Sequence, residues 1–76
     1  MNTFTATFDY EGRAPTESFV KGVIESAGYT NLTKISVVEW EIKTRQSEET
    51  VQNGLDIAVE NEGKYTGGKL TSVTVE

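Results

Sequence analysis

Residues 32–45, LTKISVVEWEIKTR, decide how this chain is read. They are its longest β-favouring stretch and hold its one tryptophan, Trp40. Side chains alternate faces along a strand, so Ile35 and Val37 fall on one face while Val38, Trp40 and Ile42 fall on the other. A flat strand would leave one apolar set in water. A β-bulge at Val37-Val38 adds one residue and brings Ile35, Val38, Trp40 and Ile42 to a common side. Glu39, Glu41, Lys43 and Arg45 then share the opposite side. A strand buried on both faces near its start is the alternative.

Downstream, Gln46-Ser47 can serve as a two-residue turn. With Arg45 opposite Glu48, Ile42 meets Val51, Trp40 meets Asn53 and Val38 meets Leu55. The bulge then sets Ile35 opposite Ile57. Three of these four inward pairs are apolar on both sides, which favours a long hairpin. A competing reading makes Ser47 a helix N-cap and Gly54 a stop around one turn of helix, and Asn53-Gly54 could also form a tight turn. Leu55, Ile57 and Val59 alternate with Asp56, Ala58 and Glu60, which reads as a third strand. Asn61-Glu62-Gly63 then makes a hairpin loop, and residues 64–76 return as a fourth strand, interrupted at Gly67-Gly68, with Val73 and Val75 inward.

Upstream, Phe4, Ala6, Phe8 and Tyr10 alternate with Thr3, Thr5, Thr7 and Asp9, a half-buried first strand. Pro15 suits a first helical turn. Phe19, Val20, Val23, Ile24 and Ala27 follow at helical spacing, and Gly28 is the natural stop, so a helix is expected over residues 15–27. Gly22 lies off its apolar stripe. The resulting order is β-α-β-β-β: a single α+β domain over residues 1–76, a two-layer sandwich with one helix on one face of a four-stranded, mostly antiparallel sheet. A right-handed crossover would make the first two strands parallel.

The chain has 76 residues, with 12 acidic and 7 basic side chains and a formal net charge of −5. That balance argues against a binder of phosphate backbones, which needs clustered Lys and Arg. With no cysteine and no histidine, conventional nucleophile–histidine arrangements and nitrogen or thiolate metal sites are absent. No cofactor is expected. No apolar run approaches the ~18 residues of a membrane span, and no signal-peptide core follows Met1. A cytoplasmic, non-enzymatic protein is the expectation. The 63–69 segment, GKYTGGK, lacks the strand–loop–helix order of a phosphate cradle and reads as a loop.

Carboxylates remain. Glu39 and Glu41 stand two apart on one strand face, about 7 Å from each other. With Asp56 and Glu60 on the third strand and Glu48 and Glu49 at the hairpin tip, they would form one acid-biased face interspersed with Thr3, Thr5 and Thr7. The plain reading is a solvated surface; the functional one is a partner site for a basic protein, steered by charge. Trp40 and Tyr10 point inward by alternation, although Trp40, Tyr29 and Tyr65 could form an aromatic rim if the helix is too short to cover them.

In general type the chain resembles the small, acidic, cysteine-poor proteins that bacteriophages direct against host machinery, anti-CRISPR proteins and polymerase inhibitors among them. The likeness lies in size, charge and element order, and no residue is carried over. It implies a protein-binding inhibitor of phage or mobile-element type that occludes a basic partner surface, with no direct nucleic-acid or membrane contact. The alternative is a structural or assembly protein, a homodimer or larger oligomer joined through an edge strand or the aromatic rim.

Overall fold

The structure, a computed structural model, describes all residues 1–76. The chain runs β1 (Asn2–Gly12), α1 (Glu17–Ser26), β2 (Leu32–Lys34), β3 (Glu39–Thr44), α2 (Glu48–Glu62), β4 (Lys64–Tyr65) and β5 (Gly68–Val75). The five strands form one antiparallel sheet in the order β2-β3-β1-β5-β4. The α+β, two-layer class stands, with five strands in place of four and two helices in place of one.

The 32–45 stretch is not one bulged strand. It folds back on itself, with Leu32 opposite Ile42, Thr33 opposite Glu41 and Lys34 opposite Trp40. The N–H groups of Ile35 and Ser36 both donate to the Glu39 carbonyl, at 3.0 and 2.9 Å, and close the turn. The hairpin parts the apolar residues that a bulge would have brought to one side. Trp40 and Ile42 go to the covered face, while Ile35 is left half exposed on the other. A bulge does occur, between β1 and β5. Ser72 pairs with Asp9 and Leu70 with Tyr10, leaving Thr71 over, so Leu70 and Val73, three apart, are both buried.

The larger correction concerns residues 48–62, which are helical rather than a hairpin arm and third strand. Ser47 is the N-cap, its Oγ accepting from Thr50 N–H at 3.2 Å, and the helix runs through Gly54 to end at Gly63. Val51, Leu55, Ala58 and Val59 are its buried residues, at i, i+4, i+7 and i+8. Ile57, expected inward opposite Ile35, is 60% exposed. Neither Asn53-Gly54 nor residues 61–63 form a turn between strands. Helix α1 begins at Glu17, after its Thr16 cap and two residues later than expected, and Gly28 follows its end at φ 100°.

Both helices pack on one face of the sheet. Val20, Val23 and Ile24 from α1 and the buried row of α2 join Ala6, Phe8, Trp40, Ile42, Leu70, Val73 and Val75 in one core. The strand β1 is central, and β1 and β2 run the same way with β3 between them. Apart from the small strand β4, this is the connectivity of the ferredoxin-like, split β-α-β arrangement. The opposite face of the sheet carries no layer.

Candidate functional site

The uncovered face follows from the register. Because Phe4, Ala6 and Phe8 turn toward the helices, Thr3, Thr5, Thr7 and Asp9 turn away, and their partners turn with them. Thr5 lies between Glu41 and Glu76, exchanging both backbone hydrogen bonds with Glu76 at 2.8 and 2.9 Å. Thr7 lies between Glu39 and Thr74. Asp9 accepts from Ser72 Oγ at 3.0 Å. Thr33 stands beside Glu41, and Lys43 opposite Thr3.

Asp9, Glu39, Glu41 and Glu76 therefore share one face, spread over β1, β3 and the end of β5 among hydroxyl side chains. The molecule's one ion pair, Lys34 Nζ to Glu17 Oε1 at 2.7 Å, joins β2 to α1 on the other side of the sheet and involves none of them. Glu39 and Glu41 are half-buried at the base, with their strand bordered on both sides. They are spaced along a rigid backbone rather than gathered around a point, and no three carboxylates converge on a cation-sized site.

The other four expected contact residues stand elsewhere. Glu48, Glu49, Asp56 and Glu60 belong to α2, in the helical layer behind the sheet. Glu48 and Glu49 occupy the first helical turn, where negative charge meets the positive end of the helix dipole. Asp56 accepts from Gln52 Nε2 at 2.8 Å. The six residues form two separate surfaces because 48–62 is a helix. Alternation along β1 already turns Asp9 outward with the threonines, but that Asp9 and Glu76 join Glu39 and Glu41 follows only from the strand order.

The aromatic rim dissolves as well. Trp40 and Tyr29 are buried, and Tyr65 packs edge-on against Phe19 with ring centroids 4.9 Å apart. Only Tyr10 of the aromatic residues expected inward is substantially exposed. No helix is long and apolar enough to cross a membrane. Compared with protein families, curated proteins and solved structures, the chain has no match.

Proposed function

We propose that this chain is a non-enzymatic binding module that seats its uncovered sheet face on a basic protein surface and occludes it, as an inhibitor of phage or mobile-element type would. One observation carries the reading: Asp9, Glu39, Glu41 and Glu76 stand on a strand-fixed, uncovered face and form no ion pair with a basic side chain. The paired strands that carry these carboxylates have little backbone freedom left to lose on docking. The short Thr and Ser side chains between them let a partner approach closely. Lys43 interrupts the field at one end, so the partner's basic groups would align with β1 and the β3 residues Glu39 and Glu41.

The test is affinity capture from a bacterial lysate at low and high salt, comparing the wild type with the Glu39→Lys, Glu41→Lys double variant. A basic protein retained by the wild type, released by salt and lost by at least about tenfold with the double variant supports this reading. Equal capture by a folded double variant removes the open face as the contact.

A further inference from the structure

Strand β5 is bordered along its length by β1, but on its other side β4 meets only Lys69 and Gly68. Leu70 N–H still donates to the Gly63 carbonyl, at 2.8 Å. Beyond it, residues 71–75 are the margin of the sheet, with no strand beside them. Glu76 spends its N–H and C=O on Thr5, so by alternation Val75 and Val73 direct theirs toward the margin.

One side chain fills that place. Gln52 Nε2 donates to the Val73 carbonyl at 2.8 Å, and Gln52 Oε1 accepts from Val75 N–H at 2.8 Å. A single carboxamide thus takes the two groups that a residue of an adjoining strand would take. Asp56, one turn on, holds the same amide through its Oδ1. Glu48, Gln52, Asp56 and Glu60 recur every four residues on α2 and form one stripe, and the Gln52 contact sets that stripe along the margin of β5. Between them lies a notch of about 470 Å³, lined by Asp56, Val59, Glu60, Leu70 and Thr71, with Lys64 and Lys69 at its β4 end.

We propose that this margin is a strand-addition site for an extended, basic segment of another protein, with Gln52 as the latch that occupies it until displaced. Backbone hydrogen bonds to Val73 and Val75 would hold the segment, as in other cases of strand addition to a free sheet edge. Its lysines or arginines on the helical side would meet Asp56, Glu60 and Glu48; its outward residues would lie beside Ser72 and Thr74. Charge selects this occupant over a second copy of the chain, because two copies joined along β5 would set like carboxylate rows against each other. The site uses neither Glu39 nor Glu41, so it stands or falls apart from the open-face reading.

The probe is a capped heptapeptide of alternating lysine and threonine, titrated into ¹⁵N-labelled protein. Saturable shifts should centre on the Val73 and Val75 amides and the Gln52 side-chain amide. Gln52→Ala, which keeps a good helix former, should bind about fivefold tighter, the worth of one net hydrogen bond no longer competing. Asp56→Lys with Glu60→Lys should weaken binding at least about tenfold, and N-methylation of alternate peptide nitrogens should abolish it. Equal binding of the N-methylated peptide, shifts centred on Glu39 and Glu41, or no binding to either wild type or Gln52→Ala would overturn the proposal. So would a Gln52→Ala protein that dimerises along β5.

Discussion

The indole N–H of Trp40 donates to the carbonyl of Val37, three residues earlier, at 2.9 Å. The same residue that anchors β3 in the core thereby ties down the turn that reverses the chain from β2. Burial of the ring and closure of the turn are one event.

Trp40→Phe keeps an aromatic ring in the core but removes this donor and leaves unfilled volume. The expected loss is about 2 kcal/mol of unfolding free energy, read by urea denaturation. The largest amide shift changes should fall at residues 35–38. Changes confined to the core, with the turn undisturbed, would show that the indole hydrogen bond does not hold the hairpin.

Two glycines should respond in opposite directions. An added methyl at Gly22 meets nothing within 4 Å, so Gly22→Ala should stabilise α1 by about 1 kcal/mol. At Gly63 an added methyl overlaps the Val59 carbonyl oxygen, and Gly63→Ala should destabilise by about 2 kcal/mol. Thermal melts of the two variants, moving up and down respectively, are the check.

Ser47 caps α2 through Thr50 N–H and also lies 2.9 Å from Thr50 Oγ1. Ser47→Ala should lower stability by about 1 kcal/mol, whereas Ser47→Asp should hold it near the wild type. Loss of stability in both variants would place the role of Ser47 outside helix capping.

Burial raises the Tyr29 hydroxyl above its ordinary 10.0, and its O–H donates to Gln46 Oε1 at 2.5 Å. Tyr65 is raised as well, first by burial and then by the nearby Tyr10. In the unfolded chain these groups ionise first, so the stability linked to them is full below about pH 10 and declines as pH rises through the folded values. Stability against pH should therefore run flatter in Tyr29→Phe than in the wild type on the alkaline side. Parallel curves would mean that the Tyr29 hydroxyl titrates alike in both states.

The strand β1 and helix α1 were legible because each has a single period and, for α1, an end marked by Gly28. The 32–45 stretch was not, since Ile35-Ser36-Val37-Val38 has no Gly, Pro, Asn or Asp to announce a turn. Its reversal depends on Phe4 and Ala6, which pair with Ile42 and Trp40 from thirty or more residues away. In α2, Leu55-Ile57-Val59 imitates a strand, and Asn53 and Gly54 weaken the helical signal. Val51, Leu55, Ala58 and Val59 carried the correct period, but a strand keeps Val51, Leu55 and Val59 inward too, so only the buried Ala58 and the exposed Asn53 and Ile57 separate the two readings. Glu39 and Glu41 were placed on the uncovered face correctly because alternation along a strand is local. The α2 carboxylates were not, because they inherited the error in their element. Asp9 is outward by the same alternation, but its nearness to Glu39, and that of Glu76 to Glu41, need the pairing of β1 with β3 and β5, which no local pattern encodes.

The middle strand of the sheet is built from residues 2–12, while its two neighbours come from residues 39–44 and 68–75. On a ribosome, β1 emerges first and is enclosed last. Until the final strand leaves the exit tunnel, one long side of β1 has no permanent neighbour, and Phe8 has no Val73 to cover it. Such long-range closure makes assembly a single late step rather than a piecewise one. The interval before it is when a nascent chain of this design is open to mispairing, and when a chaperone would find it.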